Sequence, residues 1–227
     1  MLSTADVIRI KAQISRSLQS NARVSPSRTI GLLPIKGLQG KLYEASVLAD
    51  ICENLVRQEG YTIKLVGGPN LMLKQKGGPI NRSFPYFEVW KNSNLKYELF
   101  TDLYFNTLSY HFKGSPTVQT NGDYHELDIA LIEAHLNGIP KFSEVVMAVE
   151  CKNTTISKNI IRELLGYRRE LSFVKNSPNK TIFNNWPIAM VYAQPSSVHI
   201  LYTSDIRISR YSNNCSRFGI VLNHFRM

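Results

Sequence analysis

Apolar residues are arranged along this chain in two ways, with a helical period and in short continuous runs. The helical period covers residues 5–20 and 38–59 and predicts two amphipathic helices. Ser157, a residue favoured at helix N-termini, predicts a third helix reaching about residue 174. Short apolar runs rich in β-branched and aromatic residues predict strands. These runs are 61–66, 71–74, 86–90, 96–106, 125–133, 145–152, 186–193, 198–202 and 219–225.

This succession of helices and strands predicts an α/β fold with a mixed central sheet flanked by helices. The run 145–152, the helix after it and the run 188–193 are interpreted as a right-handed crossover that places two strands in parallel. Residues 21–34 are polar and contain proline, which is typical of a linker. The predicted organisation is therefore an N-terminal helix with a basic linker, 1–37, followed by one domain, 38–227. Gly-Gly-Pro triplets at 67–69 and 77–79 predict turns.

Composition narrows the classes of partner. The chain has 227 residues, is 43% hydrophobic and carries a formal net charge of +10. A net positive charge of this size favours polyanionic partners, with nucleic acid first and an anionic membrane surface second. The alternative is a basic protein that has no such partner. No apolar run approaches the roughly 18 residues of a membrane span, and no signal peptide is predicted. Three cysteines without metal-ligand spacing favour a reducing cytoplasm over a zinc or disulfide framework.

Charged residues within two of the apolar runs indicate a site. Asp128 lies in the run 125–133, and Glu150 and Lys152 end the run 145–152. Charged side chains are rarely buried unless they are paired or bind a metal. Residues two apart on a strand share a face, so Glu150 and Lys152 are expected to project together, while Cys151 offers only its backbone carbonyl. The alternative to a metal site is a cross-strand salt bridge on a sheet face.

A further acid lies on the second predicted helix. At 100° per residue, Glu44 shares its side with Leu48 and Leu55, so it is predicted to face the core. Glu53 lies on the opposite side and is the solvent-facing control. A core-facing glutamate needs a partner, which is a metal, a buried ion pair or the dipole of the helix start.

The helix after residue 157 is predicted to have a basic side formed by Lys158, Arg162 and Arg169. An ordinary solvated surface and a phosphate-binding surface both fit that pattern. Tyr167 on the same helix is either a core residue or an amphipathic residue at the edge of the site.

An aspartate followed 22 residues later by Glu-x-Lys on the next strand resembles the PD-(D/E)xK nuclease superfamily. The resemblance covers about residues 40–193. It implies a restriction-endonuclease-like fold with an α-βββ-α-β core, in which a helix-borne glutamate often joins the site. The matching residues, in chain order, are Glu44, Asp128, Glu150 and Lys152.

Two positions depart from the family pattern and leave the branch unassigned. Leu127 stands where the motif has proline. Some branches carry Gln-x-x-x-Tyr on the following helix, and here Glu163 takes the place of the glutamine while Tyr167 matches the tyrosine.

The resemblance implies a divalent-metal-dependent endonuclease that cleaves double-stranded DNA, as a restriction or phage-defence enzyme does. Mg²⁺ or Mn²⁺ is expected on Asp128, Glu150 and the Cys151 carbonyl, with Glu44 on a second ion. Lys152 is expected to orient or activate the attacking water. Glu126, two residues before Asp128, is a competing or auxiliary ligand. A homodimer is expected by analogy with enzymes that cut two strands.

Two other classes of function remain open at this level. One is a catalytically inactive or junction-specific nucleic-acid-binding protein of the same fold. The other is a metal-independent protein or membrane-surface binder that uses the basic segment 1–41.

Overall fold

A seven-stranded mixed sheet lies at the centre of the structure, a computed structural model that describes residues 2–29, 39–68, 70, 71, 73 and 76–227. The strands in the described residues are, in chain order, β1 (Thr62–Val66), β2 (Tyr86–Lys91), β3 (Asn94–Asn106), β4 (Tyr124–Glu133), β5 (Val145–Lys152), β6 (Phe173–Lys180), β7 (Met190–Gln194), β8 (Val198–Thr203) and β9 (Ile220–His224). The helices are α1 (Thr4–Ala22), α2 (Pro26–Thr29), α3 (Gln39–Arg57), α4 (Leu108–Phe112), α5 (Lys158–Leu171) and α6 (Ser212–Ser216), with 3₁₀ turns at Phe142–Glu144 and Ile206–Tyr211.

The central sheet has the order β1-β2-β3-β4-β5-β8-β9. Pairing is antiparallel from β1 to β5 and parallel from β5 through β8 to β9. The sequence analysis correctly predicted that a strand after α5 pairs in parallel with β5, but it chose the wrong strand. The parallel partner of β5 is β8, whereas β7 pairs with β6 in a separate two-stranded sheet. Both runs are apolar, but β8 is buried at every residue and β7 has exposed ends, a difference set by tertiary packing.

Helices cover both faces of the sheet. The apolar stripe of α1, formed by Ile10, Ile14 and Leu18, packs with α3 into one hydrophobic core that covers one face of the sheet from β1 to β8. On the other face, α5 packs Leu164 against Leu201 of β8. Burial on two faces explains why the central strands are apolar throughout rather than alternating.

Two segments differ from the sequence prediction. Ser157 caps α5 as predicted, but the helix ends at Leu171 because Ser172 is fully extended and leads into β6. The predicted linker 21–34 contains the short helix α2, and its residues 30–34 lie outside the described part of the chain.

Other predictions fall partly on residues that the structure does not describe. Within the predicted strand 71–74, the described residues Leu71 and Leu73 are buried but lie outside any strand, and the other two are not described. The predicted boundary at 37/38 also falls outside the described residues. The turn predicted at 67–69 begins with Gly67 and Gly68, whose φ angles of 68° and 52° suit glycine.

Candidate active site

The central sheet is interrupted where β3, β4 and β5 carry their acidic residues. The pairing of β4 with β5 ends at Ile129–Val149, so the strands separate at Asp128 and Glu150. On the other side of β4, Asp102 lies opposite Asp128 and has a φ of 48°, which is rare for a residue other than glycine. The interruption exposes backbone groups that would otherwise bond within the sheet, and it brings polar side chains into the gap.

Asp128, Glu150 and Lys152 meet at this gap. The backbone N–H of Cys151 donates to Asp128 Oδ2 at 2.7 Å and so replaces a bond of the β4–β5 ladder. Lys152 Nζ lies 3.3 Å from Glu150 Oε2, which confirms that the two side chains project together. Glu150 is only 5% exposed, and its second oxygen, Oε1, is buried without a hydrogen-bond partner. An orphaned carboxylate oxygen is costly in a folded protein, so this oxygen is free to accept a hydrogen bond or to bind a cation.

A second group of charges lies on the α3 side of Asp128. Lys41 Nζ donates to Glu44 Oε2 and to Asp102 Oδ1, both at 2.6 Å. Glu44 is thus mostly buried on the core side of α3, as predicted, and it forms a buried ion pair, which is one of the partners considered for it. Asp102 is 1% exposed, and its Oδ2 has no hydrogen-bond partner.

The four carboxyl groups form one electrostatic cluster. Burial, with the charge of Asp128 added, raises the pKa of Glu150 to about 8. Burial likewise raises the pKa of Glu44 to about 7 and that of Asp102 to about 6, and both feel the charge of Asp128. The pKa of Asp128 itself is raised by burial. Crowded, desolvated acids of this kind favour a bound cation, which lowers the free energy of their ionised forms.

Both lysines of the cluster are held in the charged state. Burial alone would lower the pKa of Lys152 and of Lys41, but the neighbouring carboxylates outweigh it and raise both pKa values. Lys152 is therefore an ammonium group at neutral pH, suited to donating hydrogen bonds and offsetting negative charge rather than to accepting a proton.

Helix α5 closes the other side of the gap. Glu163 and Tyr167, one turn apart, line a small cavity together with Glu150 and Lys152. The Tyr167 ring lies 4.9 Å from that of His125, and its half-buried position is at the edge of the site. Burial and the charge of Glu150 raise the pKa of Tyr167. Glu163, which stands where the Gln-x-x-x-Tyr pattern has glutamine, thus lies beside Glu150 and Lys152.

The outer side of α5 is basic. Lys158, Arg162 and Arg169, here called the basic face, are all exposed. Arg168 is instead buried and donates hydrogen bonds to the carbonyl and hydroxyl of Ser197 and to the Phe218 carbonyl. Burial lowers its pKa to about 10, so it stays charged and ties α5 to the strand-connecting loops.

Glu126 and Glu53 have different surroundings. The Glu126 carboxylate is next to Gly77 and the Tyr104 ring, where a Cβ on Gly77 would come within 2.5 Å of Glu126 Oε2. Its charge still acts on Asp102, whose pKa it helps to raise. Glu53 does not face solvent as predicted: it is half-buried against α1, accepts a hydrogen bond from Ser17 at 3.1 Å and pairs with Arg57 at 2.8 Å.

No three His, Cys, Asp or Glu side chains within the described residues are grouped so as to hold a metal ion by themselves. Mg²⁺ does not require such a group, since it usually binds one or two carboxylates and keeps several waters. The donors at the gap fit this requirement. Asp128 and Glu150 are hard oxygen ligands, the strands separate between them, and an oxygen of Glu150 has no other partner.

Lys41, Asp102 and Glu163 belong to the site but were not among the residues predicted from the sequence. Asp102 had a usable signal, because it interrupts an apolar run just as Asp128 does. Lys41 lies one helical turn before Glu44, which is the spacing of an intrahelical ion pair. Its partner Asp102 is 61 positions away in the sequence, so no local sequence pattern indicates this contact.

Comparison of the chain with protein-family models, with curated proteins and with solved structures gave no match. The likeness to PD-(D/E)xK nucleases stays a prediction. In the described part of the chain, no helix is both long enough and apolar enough to cross a membrane.

Proposed function

We propose that this protein is a divalent-metal-dependent phosphodiesterase that cleaves nucleic acid, with double-stranded DNA as the preferred substrate. The observation that carries the proposal is the buried Asp128–Glu150–Lys152 group at the point where β4 and β5 separate, with one Glu150 oxygen unpartnered. A restriction-endonuclease-like fold is supported by the order of elements. Five antiparallel strands, β1 to β5, follow α3, and the last three of them are those that the α-βββ-α-β core requires before a helix. Helix α5 then leads to β8, which is parallel to β5. The hairpin of β6 and β7 is inserted between the last two elements.

The residues at the gap divide the chemistry between them. Asp128, Glu150 and the Cys151 carbonyl would hold Mg²⁺ or Mn²⁺, which supplies a Lewis acid and lowers the pKa of bound water. Glu150 must release its proton to serve as a ligand, so metal affinity rises as the pH approaches 8. The Lys152 ammonium donates to a phosphate oxygen and stabilises the negative charge that develops there. Tyr167 borders this position and limits access of water.

The substrate class follows from charge. The net charge of +10 and the basic face of α5 provide attraction and phosphate contacts next to the acids. Scission of both DNA strands by one such site calls for a homodimer, which we include in the proposal by analogy.

The direct test is incubation with supercoiled plasmid, linear duplex, single-stranded DNA and RNA, each with Mg²⁺, Mn²⁺ or excess chelator. We expect cleavage only with metal. Asp128→Ala should weaken both metal binding and cleavage, whereas Lys152→Ala should abolish cleavage and leave DNA binding intact, because no ligand is lost. Glu133→Ala, an exposed acid at the far end of β4, and Glu53→Ala are controls expected to cleave at the wild-type rate.

Cleavage that persists in excess chelator would refute the metal mechanism. Cleavage by Lys152→Ala at the wild-type rate would remove that lysine from the chemistry.

A second candidate is a catalytically inactive nucleic-acid-binding protein of the same fold. It is favoured by the exposed basic face of α5 and by the Lys152–Glu150 ion pair, since neither needs a metal. Salt-sensitive DNA binding with no heat of Mn²⁺ binding in calorimetry and no cleavage would select this candidate.

A further inference from the structure

Lys41 joins two elements that border the candidate active site. It lies in the first turn of α3, and its ammonium contacts Glu44 one turn on and Asp102 at the interruption of β3, both at 2.6 Å. All three side chains are mostly or fully buried, at 15%, 13% and 2% exposed. A lysine is rarely buried, so this one is held by the two acids.

We infer that the Lys41 ammonium takes the place of a second divalent ion between Glu44 and Asp102, so that the site binds one metal ion. The inference rests on the proposed function for its first ion, at Asp128 and Glu150. It assigns to Lys41 a positioning and charge-balancing role, and it removes Glu44 from the metal ligands that the sequence predicted.

The Lys41 ammonium and a divalent ion would compete for the same two oxygens. An Mg²⁺ or Mn²⁺ ion lies about 2.1 Å from its oxygen ligands. Glu44 Oε2 and Asp102 Oδ1 each already have the Lys41 nitrogen at 2.6 Å. A divalent ion bound to this pair of oxygens would therefore be brought close to the ammonium, whose charge repels it.

Glu44 and Asp102 have more carboxylate oxygens than the Lys41 ammonium binds. Asp102 Oδ2 is buried and has no hydrogen-bond partner, and Asp102 lies opposite Asp128 across the β3–β4 ladder. Removal of the lysine would leave Glu44, Asp102 and Asp128 as neighbouring carboxylates with no counterion between the first two. Such a set attracts a divalent ion in place of the lost ammonium.

The test counts bound Mn²⁺ per protein, by electron paramagnetic resonance of the free ion at pH 8, where these acids can ionise. Wild type is expected to bind one ion and Lys41→Met one more than wild type. Lys64→Met, which replaces an exposed lysine of β1, should match wild type. The double variant Lys41→Met with Asp102→Asn should lose the extra ion, since one of its two ligands is neutralised.

An equal count in wild type and Lys41→Met overturns the inference, and so does a wild type that binds two ions. The second outcome needs no variant, so the inference stays testable even if Lys41→Met does not fold. Circular dichroism of each variant reports folding. A wild type that binds no ion would overturn the proposed metal chemistry, while the difference between variant and wild type would still decide the role of Lys41.

Discussion

Replacing Glu150 by glutamine is expected to change how the stability of the metal-free protein depends on pH. Burial and the charge of Asp128, opposed in part by Lys152, raise the pKa of Glu150 from 4.5 to about 8. Between these two values the folded protein holds a proton that the unfolded chain releases. The free energy of unfolding therefore falls as the pH rises through this range, and the loss is complete above the folded-state pKa. Glutamine has nearly the same shape and cannot ionise, so the variant lacks this contribution.

The size of this change in the free energy of unfolding follows from the titration of a single proton. Each pH unit over which folded and unfolded states differ by one proton changes the free energy of unfolding by about 1.4 kcal/mol. From pH 6.5 to 8, with Glu150 half ionised at the upper end, wild type should lose about 1.5 to 2 kcal/mol relative to Glu150→Gln. Buried His199, whose pKa burial lowers to about 3, makes the stability of both proteins rise with pH until the unfolded histidine has titrated near 6.5, and starting at pH 6.5 keeps this shared change small.

The assay is urea unfolding followed by tryptophan fluorescence, in chelator, at half-unit intervals from pH 6.5 to 8. Glu44 and Asp102, whose pKa values are also raised, lower the stability of both proteins with rising pH and cancel in the comparison. Glu133→Gln, at an exposed position, should follow the wild-type curve. Parallel curves for wild type and Glu150→Gln would show that Glu150 is not a buried ionisable group, and the reasoning about the gap would fail with it.

Three further outcomes are expected. Alanine at all three positions of the basic face should weaken DNA binding for every sequence and reduce the slope of log affinity against log salt by roughly 0.9 per lost phosphate contact, with little change in thermal stability. An unchanged slope would place the binding surface elsewhere. Arg168→Met should lower the free energy of unfolding by about 3 kcal/mol in urea titrations, because it leaves buried acceptors without donors, whereas Arg169→Met should change it by less than about 0.5 kcal/mol. Gly77→Ala should cost about 1 to 2 kcal/mol, since its Cβ would collide with the Tyr104 ring, while Gly166→Ala on α5, with open space at its Cβ, should be neutral or stabilising.

The local pattern of the chain was enough to locate most elements of the fold. Helices α1, α3 and α5 follow from the 3.6-residue period, because burying one side of a helix imposes that spacing on its residues. The strands of the central sheet follow from short apolar runs, because strands buried on both faces are apolar throughout. Asp128, Glu150 and Lys152 were found for the same reason, since a charge within an apolar strand stands out without any knowledge of its partner.

Contacts between distant segments were decided by the tertiary structure. β7 and β8 are similar apolar runs, and only packing determines that β8 pairs with β5 while β7 joins β6. The sequence also placed Glu126 on the face of Asp128, because alternation is assumed to continue along a strand. Leu127 and Ile129 are two residues apart but pack in different hydrophobic clusters, so the alternation breaks at Asp128.

The Lys41–Asp102 contact shows the same limit most clearly. Lys41 read alone is one of many basic residues, and Asp102 alone is one acid in an apolar strand. Their pairing depends on α3 crossing the sheet at the point where β3 is interrupted. Periodicity reports which side of an element is buried, but the partner across the core is set by how the elements pack.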